Sequence, residues 1–221
     1  MLKFSHTNSK MNILARHFGY KLAQVVSFDI PAGWSCPKAD ICKNFSDPTT
    51  GKIKKVGRIM CYASKVEAYA PAARRLRWHN FDEIKECAGN SDKIAAKILE
   101  ALPNEVKIVR IHSSGDFFSV AYFTAWQKVA AARPNIVFFG YTKQLEYAIS
   151  EQNSPNFFLE YSFGGKDDEI YLNLLSKPAA CFINEHDNQY PNIPVVCGSK
   201  EKGYEDYFGV IGRNTFAISM H

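Results

Sequence analysis

No stretch of the 221-residue chain approaches the roughly 20 consecutive apolar residues that a bilayer-spanning helix needs. The first residues, MLKFSHTNSKMNILARHFGYKLAQ, lack the uninterrupted apolar run of a secretory signal. No C-x-x-C occurs, although paired cysteines are the usual mark of a four-thiolate zinc site. Internal repeats, low-complexity runs and a clear linker are also missing. Charge is scarce: the formal net value is +5, which slightly favours anionic partners but does not by itself indicate nucleic acid. These absences point to a cytoplasmic protein that makes no use of a membrane. Reducing conditions there disfavour structural disulfides.

What is present suffices for a large core: 46% of the residues are hydrophobic and 22% charged. Residues 1–221 are expected to form a single α/β domain, with an irregular C-terminal segment from about residue 176. LAQVVSFDIPAG reads as a strand closed by Pro31 and Gly33. A loop with three cysteines follows and contains the turn-rich, basic SDPTTGKIKKVG. SKVEAYAPAARRLRWHNFDEIKECA reads as helix, broken at Pro71, and SDKIAAKILEALP as a helix capped by Ser91. VKIVRIHSSGDF, NIVFFGYTK and NFFLEYSFGG read as strands, separated by helices in SVAYFTAWQKVAAARP and QLEYAISEQ. Short strands are expected in PAACFIN and IPVVCGS, with a strand or extended tail in YFGVIGRNTFAISMH. Such alternation implies βαβ units and a parallel sheet. The expected architecture is a partial or irregular (β/α) barrel with the cysteine-bearing loop after its first strand. Polar loops end each strand, and in such folds function gathers at the carboxyl ends.

Six cysteines in a cytoplasmic chain lean toward metal binding or catalysis. Cys36, Cys42 and Cys61 have the spacing C-x5-C-x18-C on one long loop. Thiolates favour soft metals and iron–sulfur clusters. Three of them leave a fourth iron open to a substrate, a cofactor or a distant ligand. Nearby Lys38, Lys43, Lys54, Lys55 and Arg58 offset the charge of such a cluster or are merely solvated. Cys87, on a helix, reads as a small core hydrophobe. Cys181 and Cys197, with His186 between them, read as core residues, as a second metal site or as completing the first cluster.

Other strand ends carry further candidates. In RIHSSGDF, Arg110 and His112 stand two apart and are expected on one face. They serve either a site or a structural polar network. Asp116 either binds a ligand amine or caps the next helix. Lys143 suits a carboxylate or phosphate. Glu160 precedes Tyr161, Ser162 and a glycine pair that lets backbone approach a ligand.

PAGWSCPKADIC, CYA, ARRLRWHN, VRIHSSGDFFSVAYFTAWQKVA and FFGYTK together resemble the phage gene product 88 family, strongly over Ser27–Lys143. The resemblance implies a cysteine-ligated site at Cys36, Cys42 and Cys61, and a host cytoplasm for a phage-encoded chain. The family also looks like a distant relative of radical S-adenosylmethionine enzymes. There, three cysteines after the first strand of a partial barrel hold a 4Fe-4S cluster. This likeness implies that Ser114, Gly115 and Asp116 bind the S-adenosylmethionine amino group. The loop departs from the usual C-x3-C-x2-C.

Two functions follow, beside a third reading in which Cys36, Cys42 and Cys61 bind nothing and lie far apart in the fold. In the first, an iron–sulfur enzyme of the radical S-adenosylmethionine kind acts on a substrate that the sequence does not identify, a nucleotide or nucleic acid being one candidate. Asp116 holds the cofactor, and His112, Lys143 and Glu160 face the substrate. In the second, a non-catalytic zinc or iron–sulfur module recognises nucleic acid or a host protein. Lys52–Arg58 and the helix of Arg74, Arg75 and Arg77 then contact phosphates, and Tyr69 and Trp78 stack on bases.

Overall fold

A computed structural model describes residues 1–6, 9–150 and 154–174, and the strand segments 179–183, 195–196 and 216–219. It is a mixed α/β structure built on four parallel strands: β1 (Val25–Phe28), β4 (Ile108–Ile111), β5 (Val137–Thr142) and β6 (Phe157–Ser162), hydrogen-bonded in that order. The sheet continues through β7 (Ala179–Ile183), β9 (Phe216–Ser219) and β8 (Val195–Val196). The order is progressive from β1 to β7, and among the described residues the sheet does not close on itself. A two-stranded antiparallel ribbon, β2 (Asn44–Ser46) with β3 (Ile53–Lys55), stands apart within the cysteine loop.

Both faces of the sheet are covered, which explains strands that read as nearly continuous apolar runs. All four residues of β1 are buried. One face packs against α3 (Pro71–Lys85), α4 (Ser91–Ala101), α5 (Val120–Ala132) and α6 (Leu145–Ile149), through Phe81, Ile98, Trp126 and Tyr147. The other packs Val25, Ile108, Phe139 and Tyr141 against Met11 and Leu14 of α1 (Ser9–His17). That helix was not legible in the sequence, because SKMNILARH carries few apolar residues. Two short helices complete the set, α2 (Tyr62–Tyr69) and α7 (Asp168–Leu174).

The break at Pro71 is present. Proline opens α3, where its missing N–H costs nothing. The cap of α4 is Asn90, not Ser91: the Asn90 side chain accepts from the Asp92 and Lys93 amides. Ser119 caps α5, so Asp116 is free of the helix-capping role. Among the described residues no helix is long and apolar enough to cross a membrane.

Gly33 makes the turn after β1. Its φ is +74°, and a Cβ there would run into the Asn44 carbonyl. Gly33→Ala is therefore expected to destabilise by about 1–3 kcal/mol from backbone strain alone, before the clash is added. Thermal denaturation of the variant measures it.

Candidate functional site

Cys36 leaves the turn that Gly33 makes, and its amide donates to the Gly33 carbonyl at 3.2 Å. Cys42 precedes β2, and Cys61 is the N-cap residue of α2. Buried Asn44 ties these segments together. Its amide nitrogen donates to the carbonyls of Cys42 (3.2 Å) and Ile59 (2.7 Å), and its oxygen accepts from the Val56 amide (3.1 Å). All three cysteines are free and half-buried.

Burial pushes the Cys36 thiol well above its ordinary range, and the charges of Asp116, Cys61 and Cys42 add to the effect. Burial also raises Cys42, Lys143 opposes this, and Cys61 reinforces it. The three cysteines, Asp116 and Lys143 thus form one electrostatic neighbourhood. Among the described residues no three His, Cys, Asp or Glu side chains are close enough to hold one metal ion. Tetrahedral bonds of about 2.3 Å to one zinc would need sulfurs about 3.8 Å apart.

Lys143 is fixed in place. Its ammonium donates to the Ser162 carbonyl (3.1 Å), the Ser162 hydroxyl (3.2 Å) and the Phe163 carbonyl. It bridges the ends of β5 and β6 and presents a cation beside Cys42. Asp116 is buried. It accepts from the Phe117 amide (2.7 Å), the Thr142 hydroxyl (2.6 Å) and the Lys143 amide (2.9 Å). Burial nevertheless leaves its carboxyl at about 6. Ser114 donates its hydroxyl to Glu67 at 3.2 Å, and its amide donates to Asp29. Gly115, at φ +93°, lies directly under Ile30 and Ser35; a Cβ there would strike both. Ser114, Gly115 and Asp116 thus form the floor beneath Cys36, with their polar groups engaged inside the protein.

His112 does not share a face with Arg110 as alternation predicts. Its φ of +69° breaks the strand geometry. Its ring packs against Phe117 and Tyr122, and Nε2 meets the Tyr122 hydroxyl at 2.8 Å. Burial lowers it to about 3, so the ring is neutral at physiological pH. Arg110 stands over the Tyr141 ring at 5.6 Å, on the opposite face.

Glu160, the register partner of Tyr141, is buried, and neither carboxyl oxygen has a hydrogen-bond partner. Burial pushes it up to about 8 from an ordinary 4.5. Between these values the folded protein keeps a proton that the unfolded chain has released. Stability therefore falls as pH rises from about 4.5 to 8 and levels off above, a loss of up to about 5 kcal/mol. Asp116 acts in the same sense at lower pH. Glu160→Gln is expected to melt close to wild type near pH 5 and above it at pH 9; equal melting at pH 9 would refute the burial argument.

One residue organises the site that the sequence did not betray. Glu67, on α2, is 0% exposed. It accepts from the Ala32 amide (2.9 Å), Arg77 (3.0 Å) and the hydroxyls of Ser114 and Ser46. It thereby joins the turn after β1, β2, α3 and the loop after β4. The only signal was its place on the buried stripe of Ala63 and Ser64.

The basic helix is not a phosphate surface. Arg74 and Arg77 are each 6% exposed and donate to carbonyls of residues 48, 49, 63 and 67. Trp78 packs against Trp34 and Phe81; Arg75 and Tyr69 remain exposed. Cys87 lies in the core, as expected. His186 and Cys197 lie outside the described residues, as does the side chain of Cys181.

The family model of gene product 88 matches residues 2–210. The Gene 88 protein of Mycobacterium phage L5 is 28% identical over 129 residues, 55% of this chain and 48% of that protein. The Gene 88 protein of Mycobacterium phage D29 is 28% identical over 131 residues, with the same coverage. The chain thus matches over about half the length of these curated relatives. No solved structure matches. With the family model spanning nearly the whole chain, this protein belongs to the gene product 88 family of phage proteins.

Proposed function

We propose that Cys36, Cys42 and Cys61 hold a 4Fe-4S cluster and that the chain is a cluster-dependent enzyme on a partial (β/α) barrel. The observation that carries this is the convergence of three free thiols from separate segments of one loop, beside an immobilised lysine. The progressive order of the parallel strands supports the barrel reading, as does the position of the thiols at the carboxyl ends. Burial, reinforced by the neighbouring charges, disfavours ionisation of the Cys36 and Cys42 thiols. A bound cluster reverses that by taking them as thiolates, with release of protons.

When bound, such a cluster supplies electron transfer and, with S-adenosylmethionine on an open iron, radical chemistry. The protein's own residues hold and shield it. Lys143 offsets thiolate charge, Asn44 and Glu67 fix the loop, and the Ser114–Asp116 floor excludes water. Asp116, at about 6, exchanges a proton near neutral pH. The test is electron paramagnetic resonance of the anaerobically purified, dithionite-reduced protein. A cluster signal altered by S-adenosylmethionine is expected. A signal indifferent to it would remove the radical reading and leave an electron-carrying or structural cluster; silence with no iron would remove both.

A further inference from the structure

Residues 37–62 carry six Lys or Arg against two Asp, and so hold most of the chain's net +5. The fold turns this segment into a surface. A cleft of about 500 Å³ opens between the loop before β2, the end of β3 and the turn after β6. Lys43, Arg58, Lys166 and Asp40 are the charged groups of its lining, with Val56 at its edge. That volume suits a ligand of nucleotide size.

The cations differ in what they already hold. Lys43 donates to the carbonyls of Cys36 and Pro37, and Lys38 pairs with Asp167. Asp47 is engaged by the Thr49 and Thr50 amides in the ribbon's turn. Lys54, Lys55, Arg58 and Lys166 are exposed, and among the described residues their side chains have no acceptor. Two large rings of the segment between β1 and α2 are exposed as well. Tyr62, directly after Cys61, is 71% exposed. Trp34 is 50% exposed and is held against the ribbon by a bond from its indole N–H to the Ser46 carbonyl (3.1 Å) and by edge contact with Phe45.

We propose that this cleft and ribbon bind single-stranded nucleic acid, with Lys54, Lys55, Arg58 and Lys166 on phosphates and Tyr62 and Trp34 stacking on bases. A basic track beside exposed rings is the general solution for unpaired strands, because every base has a face to stack and every nucleotide a charge. A duplex keeps its bases stacked on one another and offers the rings nothing. The site lies on the same rim as the cysteines but does not depend on the cluster, so the two readings fail separately.

Fluorescence polarisation of a labelled single-stranded DNA oligonucleotide tests it, with a duplex of equal length and a nucleoside triphosphate as competitors. Four phosphate contacts predict a log–log salt slope of about −3. Lys54→Glu/Lys55→Glu/Arg58→Glu/Lys166→Glu is expected to weaken binding at least about tenfold and flatten that slope. Tyr62→Ala is expected to weaken binding of the strand severalfold, and Lys93→Glu, at an exposed position of α4, to change nothing. Unchanged circular dichroism and iron content in the quadruple variant would show that the loss is one of binding. No binding at low salt, equal competition by duplex or by the triphosphate, or indifference to the charge reversal would each overturn the proposal.

Discussion

Glu67→Ala is expected to destabilise the protein by about 3–5 kcal/mol, the largest effect of any single substitution discussed for this chain. The Arg77–Glu67 pair is at 3.0 Å with both side chains almost fully buried. Removing the carboxylate leaves the Arg77 guanidinium in a low-dielectric site without its counter-charge. It also orphans the Ala32 amide and the hydroxyls of Ser46 and Ser114. An unsatisfied buried donor costs about 1–3 kcal/mol when it cannot relax to water. Glu67→Gln keeps the shape and one acceptor and is expected to cost less. Urea unfolding of both variants measures the difference. Equal losses in the two variants would assign the whole effect to the charge that both lack, and wild-type stability in Glu67→Gln would show that charge is not what Glu67 contributes.

The second large effect concerns the thiols. Alanine at Cys36, Cys42 or Cys61 is expected to reduce bound iron and sulfide from about four per chain toward background. Alanine at Cys87 is expected to lower stability and leave iron unchanged, because that sulfur lies in the apolar core and its thiol meets only the Glu83 carbonyl at 3.6 Å. The contrast separates ligation from packing. A Cys87 variant that lost iron as readily would reduce the effect of the other three to general unfolding.

The sequence was most informative where one physical signal dominated. Nearly continuous apolar runs located β1, β4, β5 and β6, and Pro71 divided α2 from α3, because burial on both faces and a missing N–H leave direct marks. The placement of Cys36, Cys42 and Cys61 on the loop between β1 and α2 was legible in the sequence. Orientation was not. His112 turned away from Arg110 because a single positive φ reverses a side chain, and nothing in RIHSSGDF signals that torsion. Arg74 and Arg77 read as surface cations, yet they are internal struts, since their long stems reach carbonyls on the facing loop. Glu67 was invisible for the complementary reason: its partners lie up to 47 residues away in sequence. The ribbon β2–β3 read only as a turn-rich insertion, because three-residue strands are too short to show alternation.

The central claim is that three cysteines on one rim hold an iron–sulfur cluster. Its most direct test is iron and acid-labile sulfide analysis of the wild-type chain purified without oxygen, with zinc measured on the same sample. About four irons and four sulfides per chain and no stoichiometric zinc are expected. A folded, colourless protein with neither iron nor sulfide, or with one zinc in their place, would contradict the claim.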